Sequence, residues 1–588
     1  MTIPSIPIKK NFGRFARYLP ILEWGQNYTR ETFSGDLLAG VIVAIMLVPQ
    51  SMAYALLAGL PPEVGLYASI VPLILYGLLG TSRSLAVGPV AMVSLLVASV
   101  VVPLAGGNPA ETLLLAVTLA LLVGLIQTLM GILRIGFLVN FLSHPVLSAF
   151  TSAAAILIGF SQLKSLLGFK VPRFEYFYET VVYTFSHLPE TNLTTLAIGL
   201  VGIGILFVFK KWLPSWLELA RISPSLKTAL SKMGPLVIVI VGILGVMFGR
   251  LDALAGVSIV GAVPSGLPPF SLPSFAPEKL LSLLPAAIAI SMVGYMESVS
   301  VAKSLASKRR EKIDPDQELI ALGMANLGAA FTGGFPVTGG ISRSVVNFSA
   351  GARTGMASIV TAGLIVLTLL FLTPIFYYLP QAMLAAIVLV AIFNMVDFGT
   401  AMRVWRYNRA DGVAWWVTFL AVLGVGVETG ILYGVAASIL LFIWRTSRPH
   451  VAVVGRVGQS EIYRNVLRHE VQTWPELIAI RIDQSLYFAN TKFLEDTVLG
   501  LVADRPEVKD FVLICTAVNF IDASAIETLE SLLEQLRDAG VTFHLAAVKG
   551  PVLDQLKQSE FWDHFDESQL HFTTHDALKT LRYVPLDL

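Results

Sequence analysis

Charge is scarce in this chain: only 14% of its 588 residues are Asp, Glu, Lys or Arg, against 55% hydrophobic residues. Ordinary soluble domains carry nearer a quarter charged residues. With a mean hydropathy of +0.73, a soluble protein would need a larger core than single domains build. Cysteine is scarcer still. The single one, Cys515, rules out an intramolecular disulfide framework and a Cys-rich metal site. A net charge of +1 gives no support to nucleic-acid binding. There is no Walker lysine motif, nucleophile elbow or zinc-spaced pair of histidines, so the chain does not read as an enzyme and no cofactor is implied.

What is present is apolar sequence in runs of roughly 17–25 residues, long enough to cross about 30 Å of hydrocarbon. About fourteen hydrophobic segments are predicted, at 36–59, 63–80, 88–103, 110–133, 141–162, 193–209, 234–249, 280–302, 316–334, 341–350, 355–378, 382–396, 412–428 and 430–444. Two are too short to span alone. Lys9, Lys10, Arg14 and Arg17 precede a long first span, which is expected to remain in place rather than be cleaved.

Lysine and arginine set the orientation. With the N-terminus inside, the inner loops carry Arg83, Arg134, the group Lys210, Lys211, Arg221, Lys227 and Lys232, and the group Lys303, Lys308, Arg309, Arg310 and Lys312. Arg353, then Arg403, Arg406 and Arg409, then Arg445 and Arg448 follow on the same side. The outer loops near 60–63, 104–109, 335–340 and 379–381 carry none; the stretch around Lys164, Lys170 and Arg173 departs weakly from the rule. An even number of spans also puts both termini in the cytoplasm. The expected division is a cytoplasmic segment 1–35, a transmembrane domain 36–446 and a cytoplasmic domain 447–588. In the last of these, β-like runs at 477–482, 512–517 and 541–548 alternate with helical spacing at 525–536 and 552–561, giving a small α/β domain.

Two short segments carry the functional argument. Ser84 to Val87 reads as extended, followed by Gly88-Pro89 and an apolar helix from Val90 and Ala91. Gly333-Gly334-Phe335-Pro336-Val337-Thr338-Gly339-Gly340 is too glycine-rich for helix and leads into Ile341-Ser342-Arg343-Ser344. Non-helical backbone survives at membrane depth only where protein or a wet cavity satisfies it. Gly/Pro-interrupted segments at matching positions of two halves point to a transporter binding site. These are the third and tenth segments. An odd repeat of seven inverts the topology, so the half-helices enter from opposite faces and their N-termini meet near the midplane. Each N-terminus offers free N–H donors and partial positive charge, which makes the gap an anion site.

Side chains add to it. Arg343 lies in the first turn of the second half-helix, where a charge is costly and usually functional, and Ser342 and Thr338 are expected to supply neutral donors. In the first span Gln50 and Tyr54, at i and i+4 after Pro49, share a face; Gln50 serves either the site or interhelical packing. Glu297 lies inside the eighth span, and Ser291, Gly294 and Ser298 are expected to line a cavity beside it. Its carboxylate is either a structural partner of Arg343 or a proton-binding group that gates transport.

The residues Asp36 and Gly40, the run Val48-Pro49-Gln50-Ser51-Met52-Ala53-Tyr54-Ala55, and Gly59, Gly65, Leu66 and Tyr67 resemble the signature of the SulP/SLC26 sulfate and anion permeases. Gly88-Pro89, the Gly340 to Ser344 run and the C-terminal α/β piece, which resembles a STAS domain, match as well. The resemblance implies an α-helical polytopic membrane protein with about 14 transmembrane segments in a 7+7 inverted repeat and a C-terminal α/β STAS domain. It implies a core domain, a gate domain from segments 5–7 and 12–14, an elevator-like motion and a homodimer. Its anion-contacting positions fall on Gln50, Tyr54, Val90, Ala91, Ser342 and Arg343, and its acidic position on Glu297. Glu fits proton-coupled members, whereas sodium-coupled bicarbonate members have Asp there, so sodium stays open. Val90 stands where relatives carry an aromatic residue, leaving substrate size open.

In the STAS domain, Asn519 to Ala525 resembles the loop that carries a phospho-acceptor serine in anti-sigma-factor antagonists. Asp522 and Ser524 match and Ala525 replaces the usual Gly; the loop is either such a site or a helix cap. The expected function is a secondary active symporter, proton-coupled, of sulfate or a related small inorganic anion across the plasma (cell inner) membrane. The alternatives are a bicarbonate or C4-dicarboxylate carrier, or an anion channel or sensor on the same scaffold.

Overall fold

A computed structural model describes residues 19–585 apart from 27, 138–142, 173, 175, 221–226, 228, 229 and 394. Lys9, Lys10, Arg14, Arg17, Arg173 and Arg221 lie outside the described residues. Two compact units, Met1–Ser438 and Ile439–Leu588, make up the chain.

The first unit is helical. In order its elements are α1 (Arg30–Leu57), α2 (Pro62–Leu79, interrupted at 68–70), β1 (Val87–Gly88), α3 (Ala91–Leu104), α4 (Pro109–Ile132) and α5 (His144–Leu167). Then come α6 (Phe177–Ser186), α7 (Leu193–Leu219), α8 (Gly234–Gly249), α9 (Pro277–Arg309), α10 (Pro315–Phe331), β2 (Thr338–Gly339) and α11 (Ile341–Ser349). The series ends with α12 (Met356–Leu367, continuing as a π-helical turn and a 3-10 helix to Tyr378), α13 (Gln381–Ile392), α14 (Phe398–Tyr407), α15 (Arg409–Gly424) and α16 (Val427–Thr446), the boundary between the units falling within α16. Each of the fourteen hydrophobic segments has its helix.

Several expectations need correction. The first helix starts at Arg30, six residues ahead of the first expected segment, where Thr29 caps it by accepting from Thr32 N. The second span is broken, and the eighth runs for 33 residues. Helices α6 and α14 were not foreseen, because each is too short and too amphipathic to register as a membrane run. The core of the unit gathers α10 against α4 and α2, and α12 against α1, while α13 packs on α7 and α5, and α15 on α5.

The site depends on two close approaches. A Cβ at Gly65 would lie 1.9 Å from Ser51 O, so only glycine lets α2 meet α1 there; Ser69 Oγ bridges the contact, 2.8 Å from Ser51 Oγ and donating to Gly65 O. Gly88 sits at φ +153, a backbone conformation that residues with a side chain rarely adopt, and its Cβ position lies in van der Waals contact with the Arg343 guanidinium at 3.4 Å.

The second unit is an α/β domain with a six-stranded sheet in the order β4-β3-β5-β6-β7-β8. Its strands are β3 (Val451–Arg456), β4 (Tyr463–Asn465), β5 (Leu477–Ile482), β6 (Asp510–Ile514), β7 (Thr542–Ala546) and β8 (Leu570–His571). Strands β5 to β8 are parallel and β3 and β4 antiparallel. Helices α17 (Thr491–Ala503), α18 (Ala523–Asp538) and α19 (Gly550–Lys557) follow β5, β6 and β7, and α20 (Thr574–Thr580) follows β8. The three strands and two helices read from sequence are present with ends shifted by a few residues. Strands β3, β4 and β8 and helices α17 and α20 were missed.

Candidate anion site

Strands β1 and β2 pair antiparallel, Val87 opposite Gly339 and Gly88 opposite Thr338. Each leads directly into a half-helix, so α3 and α11 start side by side and run apart. Their first residues, Ala91 and Ile341, follow Val90 and Gly340, and neither helix end has a side-chain cap. The first N–H groups of a helix have no acceptor within it, which leaves two sets of uncommitted donors beside one another.

The pairing is reinforced by polar side chains of α11. Ser344 Oγ accepts from Ala86 N at 2.9 Å, Asn347 Nδ2 donates to Ser84 O at 3.1 Å, and Gly340 N donates to Ala86 O at 3.1 Å. Arg343 is 2% exposed. Its Nη1 donates to Pro89 O at 2.5 Å and its Nη2 to Thr338 O at 3.4 Å, while its Nε has no hydrogen-bond partner.

Helix α10 holds both strands from behind. The Glu318 carboxylate, fully buried, accepts from Tyr76 OH (2.6 Å), Thr81 N (2.7 Å), Thr81 Oγ1 (2.6 Å) and Ser82 N (3.0 Å), fixing the chain just before β1. Two turns on, Asn326 Oδ1 accepts from Val337 N at 2.8 Å and its Nδ2 donates to Val337 O at 3.1 Å, fixing the chain before β2. Neither residue was singled out from sequence, where Glu318 resembles an ordinary acidic residue in a helix's first turn.

A cavity of about 940 Å³ opens in front of the paired ends. Gln50, Tyr54, Val90, Ala91, Ser342, Arg343 and Glu297 all line it. These seven come from α1, the start of α3, α9 and α11, far apart in sequence. Two neighbouring expectations fail. Thr338 Oγ1 is turned away: it donates to Gly294 O at 2.6 Å and lies 2.7 Å from Ser298 Oγ. Ser298 Oγ in turn accepts from Gly339 N at 2.8 Å. Gly294 and Ser298 are therefore buried against β2 and serve as its clamp, while Ser291 is buried further along α9, its carbonyl accepting from Gln127 Nε2 at 3.2 Å. The cavity instead receives Glu297, Ser300 and Val301, at i, i+3 and i+4.

Glu297 Oε2 is buried with no hydrogen-bond partner, and among the described residues Glu297 and Arg343 make no ion pair. The opposite wall comes from α5, α7 and α13. His144, Ser148 and Thr151 line it, a polar stripe at i, i+4 and i+7 that could have been read from sequence. Lys210, Lys227, Lys232 and Asp397 also line the cavity. In sequence the lysines mark only the inner side.

Among the described residues there is no group of three or more His, Cys, Asp or Glu side chains suited to a metal. Eight described helices are long and apolar enough to cross a membrane, with α3, α8 and α13 as shorter apolar helices.

The family description "Sulfate permease family" matches residues 33–418, and "STAS domain" matches 468–577. "Sulfate transporter 4.1, chloroplastic" of Arabidopsis thaliana is 37% identical over 581 residues, covering 96% of this chain and 83% of the relative. "Probable sulfate transporter MT1781" of Mycobacterium tuberculosis is 34% identical, covering 95% and 97%. Among solved structures, that titled "The overall structure of SLC26A9" superposes with a TM-score of 0.89 at 24% identity, covering 100% of this chain and 99% of the other. The transmembrane domain of the cyanobacterial bicarbonate transporter BicA superposes with a TM-score of 0.57 at 22% identity, covering 70% and 98%. At these identities the two structures speak to the fold.

Proposed function

The chain belongs to the sulfate permease family, and from that premise we propose that it is a secondary active transporter of sulfate or a related small inorganic anion, driven by protons. It is an integral, multi-pass membrane protein with a STAS domain. The transport domain is assigned to 36–446 and the STAS domain to 447–588, with both termini in the cytoplasm of a plasma (cell inner) membrane protein.

One observation carries the reading: two uncapped half-helix N-termini and a buried arginine share a cavity with a carboxylate. Helix N-termini and a guanidinium favour an anion. Gln50, Tyr54 and Ser342 add neutral donors, and Val90 and Ala91 keep the backbone approachable. Neutral donors and backbone N–H groups suit an oxyanion that must be released again, since binding that is too tight would trap it.

Glu297 is assigned the coupling role. A divalent anion entering a negative-inside compartment works against about 2.3 kcal/mol per charge per 100 mV. Protons that travel with it offset that charge. The names of the relatives support sulfate as the anion. In the elevator reading, the core elements carrying the seven residues slide against α5, α7, α8, α13, α15 and α16, and two copies form a homodimer. Lipid is the surrounding solvent, and neither nucleic acid nor a cofactor takes part.

The test is uptake of radiolabelled sulfate into vesicles reconstituted with the purified protein, with proton and sodium gradients imposed separately. Accumulation driven by the inward proton gradient is expected. Accumulation driven by sodium alone, or none of any small anion, would overturn the reading.

A further inference from the structure

Helix α14 is ten residues long, about 15 Å at the usual rise, and cannot cross a membrane. Three stripes run along it. Thr400 and Ala401 are buried, with Val404 half-buried beside them, and this side packs on α15 and α5. Phe398, Met402 and Trp405, at i, i+4 and i+7, are 45%, 59% and 38% exposed. Arg403 and Arg406, at i and i+3, are exposed on a third side.

At 100° per residue the apolar and basic stripes lie roughly a quarter-turn apart. A helix lying in the plane of a membrane surface needs that cross-section: apolar side chains directed into the acyl boundary, cations level with the head groups, and a tryptophan at the interface. Arg409, exposed at the start of α15, adds a third cation, its guanidinium 5.9 Å from the Trp405 ring centre.

No acidic residue offsets these charges from within α14. The carboxylates that flank it in sequence are engaged, and Asp397 lies in the field of Arg403: Asp411 accepts from Asn408 Nδ2 at 2.9 Å. Asp397 caps α14, accepting from Thr400 N at 2.9 Å and Thr400 Oγ1 at 2.5 Å. Arg403 Nη2 donates to the same Thr400 Oγ1 at 2.9 Å, and Asp397 lines the anion cavity. The exposed basic stripe is thus joined through two hydrogen bonds to the cavity wall. The cap is anchored to α5, since Asp397 N donates to Ser152 Oγ at 3.0 Å.

We propose that α14 is a binding site for the phosphate head group of an anionic phospholipid, held by Arg403 and Arg406 with acyl chains over Phe398, Met402 and Trp405, and that the occupied site sets the geometry of the cavity wall through Thr400 and Asp397. Charge complementarity fixes the occupant: the cytoplasmic leaflet is anionic, and juxtamembrane cations bind it additively. The effect on transport rests on the proposed function. The choice of the cytoplasmic leaflet rests on the orientation proposed there; binding of the lipid to the purified chain does not.

The test measures phosphatidylglycerol retained by the purified full chain after exchange in neutral detergent, for the wild type, Arg403→Gln/Arg406→Gln and Met402→Glu. Both variants are surface changes, so they are expected to fold. The double variant should retain roughly 10- to 30-fold less than wild type, from two lost cations, and Met402→Glu should also lose lipid. Sulfate uptake is then compared in vesicles of phosphatidylcholine with and without phosphatidylglycerol. Wild type should be stimulated by the anionic lipid and the double variant should not. Undiminished retention by the double variant, or displacement of the lipid by millimolar inorganic phosphate, would overturn the site. Loss of retention with an unchanged lipid response of uptake would overturn its link to the cavity. Absence of uptake in every lipid, with retention behaving as expected, would count against the transport reading alone.

Discussion

Arg343 Nη1 donates to Pro89 O at 2.5 Å, so the cation of the second half-helix is bonded to the backbone that opens the first. The two halves of the site are therefore one mechanical piece. Besides offering charge to an anion, the guanidinium spans β1 and β2, reaching Thr338 O with its other nitrogen.

Replacing Arg343 with alanine should lower uptake by at least about tenfold, since a hydrogen bond to a charged group contributes roughly 1.5–3 kcal/mol. Arg343→Lys should fail to restore it. An ammonium on a flexible stem cannot make the two-pronged contact of the guanidinium fork. Uptake in vesicles, beside size-exclusion profiles showing assembly intact, checks both. A lysine variant with wild-type uptake would show that charge alone matters.

The site was legible in sequence where punctuation is strong. Gly88-Pro89 and the glycines from 333 to 340 cannot continue a helix, and Gln50 and Tyr54 keep their i, i+4 relation in any helix. What packs against an apolar helix is not so encoded. Thr338 and Ser298 look like free donors until β2 is seen lying on α9. The amphipathic helix α14 was hidden for another reason: its pattern belongs to an interface, and a search for spans passes over it.

Glu318 should matter to folding far more than its position in a helix's first turn suggests. Alanine there would strand Tyr76 OH and Ser82 N in a dry interior, at roughly 1–3 kcal/mol for each unsatisfied group, and leave the half-buried Thr81 N without its acceptor. Glu318→Ala is expected to yield little monodisperse protein. Glu318→Gln, which keeps one acceptor oxygen, should be intermediate in yield and in unfolding midpoint. Wild-type behaviour of the alanine variant would remove Glu318 from the scaffold.

In the STAS domain Asp522, not Ser524, is the cap of α18: its Oδ1 accepts from Ala525 N at 2.9 Å and its Oδ2 from Phe488 N at 2.9 Å. Ser524 is exposed. Asp522→Ala should cost about 1 kcal/mol of local stability, and Ser524→Ala close to none. Cys515 reports the difference, being the chain's only cysteine, buried, with its thiol pushed up to about 12 by burial. Alkylation of Cys515 should accelerate roughly fivefold in Asp522→Ala and stay unchanged in Ser524→Ala. Equal rates in both would mean that Asp522 contributes nothing as a cap.

The same domain should loosen in acid. His571 is held below its usual range, first by burial and then by His544, whose Nδ1 lies 3.2 Å from His571 Nε2. Asp510, 3.3 Å from His544 Nε2, and Asp576 are the acids nearby, and Asp576 opposes the shift. A base whose folded-state pKa is lowered contributes stability above its unfolded value near 6.5 and loses it as pH falls through the folded one. Hydrogen exchange in α20, corrected for intrinsic rates, should therefore quicken as pH falls below about 6.5. His571→Leu should flatten that response. A profile unaffected by the substitution would assign the loosening to another group.

Glu297 should couple transport to protons. Its carboxylate shares the cavity with Arg343 yet makes no ion pair with it, and its Oε2 has no hydrogen-bond partner. A structural partner of Arg343 would be expected in contact. An ionised Glu297 draws on the same positive field that an anion needs, so it disfavours the substrate. Protonation removes that competition, and the two bindings reinforce each other reciprocally. Glu297→Gln imitates the protonated form. The variant should still bind sulfate and exchange it across the membrane, while losing accumulation driven by an inward proton gradient. Uptake at fixed internal pH, over an external range of roughly 5 to 8, should fall with rising pH in the wild type and stay level in the variant. A wild type indifferent to pH, or a variant that keeps the slope, would return Glu297 to a purely structural place in the cavity wall.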